Sequence, residues 1–339
     1  MNNTATGIPS KEPVAWLTVL RGAAVLLIVL YHSPMNLETG EGWLVKAFQS
    51  LNLLFSHRMP LFIFISGFLL FHTKLRKNES IGSVLKTRLP RILAPYVFLT
   101  ISLFLLKGFF AESFKQSVDL SAHGLLMVFA YPIQNPLITL WFLNAVAIYF
   151  ITYPLLQYAL ISHKKTALLV AFALLLHIFT PDDILLLDLT TVLRFYIYFV
   201  GGIVIARYRI YDRLKLWWVI VLAIVWIGLL LLEHRGLIFN ISAILVSVYL
   251  AQKLVVVVPR IFSSFSRYYY QIYLFGTLFQ IALFELFTGM NISHNLLLIT
   301  LVSIVGGLYI PVLGGKLIEK INFKALNLIA GFKTSGSNS

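Results

Sequence analysis

Arg21 and His32 are the first pair in this chain whose types and spacing suit chemistry. Both fall in one apolar run, AWLTVLRGAAVLLIVLYHS, at positions 15 to 33. Eleven positions at about 100° each make roughly three turns, so a helix carries the two side chains on one face about 16 Å apart. The guanidinium is a permanent cation, whereas an imidazole titrates near neutrality and can take a proton from a hydroxyl within hydrogen-bond reach. Ionisable residues inside a spanning helix are costly and point by default to a functional site. For His32 the other reading is a polar side chain packed at the membrane surface. Arg21 lies too deep to snorkel easily.

Further polar residues gather near the His32 end of the apolar runs. His57 and Arg58 open the second run, Trp141 and Asn144 the fourth, Arg194 lies a turn inside the sixth, and Glu285 is near the end of the ninth. Glu285 is expected to pair with Arg194 or Arg58, or to bind an acceptor. At the opposite level, RLPRILAP places Arg88 and Arg91 three apart, on one face of a helix. Two guanidinium forks at a helix N-terminus suit a phosphorylated ligand. The other reading makes them flanking charges that fix topology. Ser66 and Gly67 are read as a site of close helix packing, not as a nucleophile.

The elements that must position these residues are membrane helices. The chain has 339 residues, 59% of them hydrophobic and 12% charged. Repeated apolar runs of spanning length make it an all-α integral membrane protein. Ten spans can be drawn: 14–33, 53–71, 91–110, 137–160, 166–180, 189–206, 216–232, 236–252, 268–288 and 294–314. The segment 123–133 is too short to cross. The net charge of +14 sits between the runs, as topology signals do, so no nucleic-acid partner is expected. With the N-terminus inside, the cytoplasmic segments are basic, as in Arg207, Arg209, Arg213 and Lys215. The outer ones carry Glu38, Glu41, Glu112, Asp119, Asp182, Asp183, Asp188 and Glu233. That alternation predicts about ten transmembrane helices with both termini cytoplasmic. Residues 1–13 are expected to be a flexible segment, 14–315 the membrane domain, and 316–339 a cytoplasmic tail. Cysteine is absent from the sequence, so disulfides, thiolate metal sites and a cysteine nucleophile are excluded. With no HExxH and no glycine-rich nucleotide loop, no metal site and no permanently bound cofactor are expected.

In several places, and in order, the sequence resembles the membrane acyltransferase-3 family of acyl-CoA dependent carbohydrate O-acyltransferases. LRGAAVLLIVLYH (20–32) is similar to its motif of arginine, ten residues and histidine. RMPLFIFISGFLL (58–70) resembles its second-helix signature, RLPRILAPY (88–96) its arginine pair, and LWFLNAVAIYF (140–150) its Trp-Phe-Leu segment. The resemblance implies an enzyme of the cell inner (plasma) membrane. It would move an acyl group, acetyl above all, from cytoplasmic acyl-CoA as co-substrate to a hydroxyl of a surface polysaccharide or lipid-linked glycan. His32, Arg21 and Arg58 would be catalytic and Arg88 and Arg91 would hold the donor. His57, Trp141, Asn144, Arg194 and Glu285 would contact substrate. One departure stands out: in SRYYYQIYLFGTLF (266–279), Gly276 occupies a place where the family commonly has histidine. Acceptor specificity is expected in the outer loops 34–52, 111–136 and 181–188. The rival reading is a polysaccharide or lipid-linked sugar transporter or flippase with Arg21, Arg58 and Arg194 along its path. It lacks the internal repeat with interrupted helices that many transporters carry.

Overall fold

The structure, a computed structural model, describes residues 15–37, 42–109, 119–257, 260–292 and 295–332. The expected flexible segment 1–13, the charges Glu38, Glu41 and Glu112, and the tail from 333 lie outside the described residues. Within them every regular element is helical and no strand occurs. In chain order the helices are α1 (Ala15–Tyr31), α2 (Pro34–Leu37), α3 (Trp43–Leu54), α4 (Arg58–Thr73), α5 (Ile81–Phe109), α6 (Ala122–Ala130), α7 (Trp141–Ile151) and α8 (Tyr153–Ala159). They continue as α9 (His163–Phe179), α10 (Leu189–Tyr208), α11 (Leu216–Leu231), α12 (Leu237–Leu254), α13 (Arg260–Arg267), α14 (Tyr269–Gly289), α15 (Leu296–Ile321) and α16 (Lys324–Ile329).

Six described helical stretches are long and apolar enough to cross a membrane, with α3 and α4 counted together as Trp43–Lys77, or seven if α7 and α8 also make one span. The apolar helices α1 and α11 are shorter. Helix α11 turns Leu216, Ile220, Ile224 and Leu231 outward, half or more exposed. An apolar outer surface of this kind fits lipid and marks a multi-pass membrane protein.

Three boundaries differ from the sequence expectation. The expected loop 34–52 contains α2 and most of α3, and the second spanning stretch runs from Trp43 to Lys77 with a turn between α3 and α4. The third span, expected at 91–110, begins at Ile81, so Arg88 and Arg91 lie about two to three turns inside α5 and not at its N-terminus. The fourth span is broken: α7 and α8 meet at 54°. Pro154 has no N–H to offer the Phe150 carbonyl, so the helix cannot run straight through this turn.

Helix α1 is packed against α4, α12, α13, α14 and α15. Its Leu20, Ala24, Val25 and Val29 are fully enclosed. Helices α4 and α10 meet at backbone distance through Gly67 and Gly202: a Cβ at Gly67 would lie 2.0 Å from the Phe199 carbonyl oxygen. Contact through small residues is how membrane helices approach closely, since lipid removes the hydrophobic drive between them. Helix α5 contains Pro90 and Pro95. Pro95 cannot donate to the Arg91 carbonyl, and the Tyr270 hydroxyl of α14 donates to it instead at 3.0 Å. That bond ties α14 to α5 beside the arginine pair.

Candidate active site

Two chambers open along α1, one at each member of the Arg21 and His32 pair. The first, about 440 Å³, is lined by Arg21, Arg88, Arg91 and Arg267, by Ser66 and Thr73 of α4, and by Tyr269, Tyr270 and Gln271 of α14. Gly331 and Phe332, just beyond α16, complete its wall. The second, about 550 Å³, is lined by His32, Tyr31, Arg58, Thr139, Trp141, Asp188, Thr191 and Tyr273. Both volumes fall in the range of small-molecule sites, about 300–1,000 Å³.

Aromatic rings divide them. Phe62 and Phe142 line the first chamber and Tyr273 the second. Their centroids are 5.1 to 5.5 Å apart in edge-to-face and tilted contacts. The Tyr273 hydroxyl donates to the Thr139 carbonyl, which fixes the ring in place.

The first chamber is cationic, and none of the described residues that line it is a carboxylate. Arg21 sits over the Tyr269 ring at 5.3 Å, and its Nε donates to the Leu17 carbonyl at 3.4 Å. Arg267 pairs with Glu319 at 3.0 Å, and the Tyr268 hydroxyl donates to the same carboxylate at 2.6 Å. A wall of guanidinium forks with aromatic faces suits a polyanion that carries a ring or an amide chain.

The second chamber joins a base to a cation. Arg58 stacks on the Tyr31 ring at 3.3 Å, and Tyr31 meets His32 edge-on at 4.9 Å. Trp141 braces its indole on Phe195 at 5.5 Å. An imidazole and a guanidinium around one cavity can deprotonate a hydroxyl and stabilise a developing oxyanion.

Of the residues singled out in the sequence, Arg21, Arg88 and Arg91 meet in the first chamber, and His32, Arg58 and Trp141 in the second. The other four line neither. His57 is fully buried, with its Nε2 3.3 Å from the Ser247 hydroxyl and its ring edge-on to Trp226. It opens α4 one position before Arg58, so it points about 100° away from it. Asn144 donates to the Leu187 carbonyl at 2.6 Å. Arg194 binds Asp182 at 2.5 Å and the Thr180 carbonyl at 2.7 Å. Glu285 is exposed on α14. Asp188, Thr191, Phe62 and Tyr273 belong to the site without any sequence motif that marks them. Gly276 lies where α14 meets α15: a Cβ there would stand 2.8 Å from the Gly307 carbonyl oxygen. A histidine at this position would need the two helices to separate.

No curated protein and no solved structure matches the chain. An acyltransferase-domain family model does match it, over residues 14–315. That stretch includes α1 with Arg21, His32 just after it, the arginine pair of α5 and all but the last turns of α15, and the chain therefore belongs to the acyltransferase-3 family of membrane acyltransferases.

Proposed function

We propose that the protein acylates a hydroxyl of a surface polysaccharide or lipid-linked glycan, with cytoplasmic acyl-CoA, acetyl-CoA first of all, as the donor co-substrate. The observation that carries this reading is the pair of chambers set back to back along one helix: four arginines around one, a histidine and an arginine around the other. In this reading the arginine chamber faces the cytoplasm and the histidine chamber the outer side of the inner (plasma) membrane, with about ten crossings in all, as the basic segments support. Arg88 and Arg91 take the phosphates of CoA, and Arg21 guides the pantetheine arm along α1. The thioester reaches the histidine chamber when the Phe62, Phe142 and Tyr273 rings part.

There His32 accepts the proton of the sugar hydroxyl as its oxygen attacks the thioester carbon. Arg58 stabilises the tetrahedral oxyanion. As that intermediate collapses, the carbon–sulfur bond breaks and the CoA thiolate takes the proton from the imidazolium. Trp141 offers the sugar an apolar face. His57, Asn144 and Arg194 serve by holding α4 and the outer turn, not by touching substrate. A transporter path through Arg21, Arg58 and Arg194 fits less well, because Arg194 is bound to Asp182 and lines neither chamber.

The test is acetyl-CoA binding and hydrolysis by detergent-purified protein. Arg88→Ala with Arg91→Ala is expected to weaken binding by at least a hundredfold, since a charge-assisted hydrogen bond contributes about 1.5–3 kcal/mol. His32→Ala is expected to bind the donor and not turn it over. A folded wild type that binds no acetyl-CoA refutes the reading.

A further inference from the structure

Among the described residues that line the two chambers, Asp188 is the only carboxylate. It is held there against backbone preference. Leu187 and Asp188 are consecutive non-glycine residues in the left-handed region, with φ of 53° and 52°. Such a turn persists only where its surroundings dictate it, and such turns cluster at functional sites.

The surroundings can be named. Asn144 of α7 donates to the Leu187 carbonyl at 2.6 Å. The Thr190 hydroxyl donates to the Pro181 carbonyl at 2.8 Å and accepts from the Ile184 amide at 3.0 Å. Arg194 grips Asp182 and the Thr180 carbonyl from one turn further along α10. The loop 180–190 is thus braced from two helices, and its last residue before α10 faces the cavity that holds His32.

The plain structural role for Asp188 is a cap for α10. From the cap position it interacts with the Thr191 amide and hydroxyl, which are its partners on its own helix. An ionised carboxylate has about four acceptor sites, so two such donors still leave room for a ligand in the chamber it lines. An ionised carboxylate only accepts, so it fits donors, and the neighbouring hydroxyls of a sugar are donors at matching spacing.

We propose that Asp188 recognises the acceptor in the histidine chamber, taking hydrogen bonds from adjacent hydroxyls of a neutral, polyhydroxylated molecule while Trp141 packs against its ring face. This deepens the acyl-transfer reading and rests on it. It narrows acceptor recognition within the outer loops to one side chain, and it makes Asn144 and Arg194 positioning residues that act through the turn.

The experiment supplies acetyl-CoA with methyl glucoside, methyl galactoside or methyl N-acetylglucosaminide, and measures transfer and hydrolysis together. Asp188→Asn is the informative variant, because asparagine both tolerates left-handed backbone and caps helices as well as aspartate. The expected result is transfer to at least one glycoside by the wild type. In Asp188→Asn its KM should rise about 10- to 100-fold with a smaller change in kcat, and product should shift from transfer towards hydrolysis. Asn144→Ala, which loosens the turn from outside the chamber, should raise the same KM. The proposal is overturned if Asp188→Asn keeps the wild-type KM, or if transfer and hydrolysis fall equally. It is also overturned if a wild type that hydrolyses acetyl-CoA acylates none of the three glycosides. A wild type that neither hydrolyses nor transfers would be the failure of the acyl-transfer reading itself.

Discussion

Replacing Gly67 with alanine should disable the enzyme from a position that touches no substrate. The new Cβ would lie 2.0 Å from the Phe199 carbonyl oxygen and 2.9 Å from its carbon, both backbone atoms of α10. Ordinary contact begins at 3.4 Å, so α4 and α10 would have to part by about 1.4 Å. Overpacking of this kind costs about 1–3 kcal/mol. The displaced helix carries Arg58 at one end, Phe62 in the aromatic partition and Ser66 in the arginine chamber. A misplacement of about 1 Å can reduce a rate about a hundredfold, and that is the loss of turnover expected. Gly202→Ala makes the reciprocal clash, 2.1 Å from the Phe64 carbonyl oxygen, and should behave alike. The double variant should fall short of the sum, because both changes open one interface.

Gly201, next along α10, supplies the control: a Cβ there meets nothing within 4 Å. Gly201→Ala should therefore be neutral, or stabilising by up to about 1 kcal/mol through helix propensity. Thermal inactivation in detergent and acetyl-CoA hydrolysis, run on the three single variants, decide the matter. A Gly67→Ala protein with the midpoint and turnover of Gly201→Ala would refute the claim that this interface sets the site.

Two further outcomes are expected elsewhere. Gly331 has φ of +74°, and a Cβ there would lie 2.1 Å from the Tyr270 ring, so Gly331→Ala should unseat the segment after α16 and weaken acetyl-CoA binding, read by calorimetry, more than it lowers the thermal midpoint. Between α4 and α5, burial alone would raise the Glu79 carboxyl, but hydrogen bonds from Lys74 and Ser83 outweigh it and hold the group below the ordinary carboxylate range. A depressed pKa contributes stability that is present above the unfolded value, about 4.3, and is lost as pH falls through the folded one. Thermal midpoints should therefore fall more steeply in wild type than in Glu79→Gln as pH drops from about 5 to 3, and equal slopes would show that the Lys74–Glu79 pair does not matter to folding.

The helical fold was legible because lipid imposes length and polarity on every crossing, and both can be read one residue at a time. The Arg21 and His32 pair was legible for a related reason: within a helix, spacing fixes both face and distance, and the two residues do line separate chambers on one helix. The same rule explains the failure with His57. His57 shares the level of His32 and Arg58, but consecutive helical positions diverge by about 100°, and His57 went into the packing against α11 and α12.

What sequence spacing could not reach are the parts made by contact between distant residues. The partition needs Phe62, Phe142 and Tyr273, and the end wall needs Phe332, which meets Tyr268 only when the chain returns past α15. Asp188 is the sharpest case. As one of many acidic residues between the apolar runs it carries no signal, and it comes to line the histidine chamber through a left-handed turn that Asn144 and Arg194 hold from other elements. Those two residues were picked out as polar groups at the right depth, and the depth was informative even though the direct contact was not. A polar side chain in a membrane helix needs a partner at its own level, and here the partner is the loop that delivers the carboxylate.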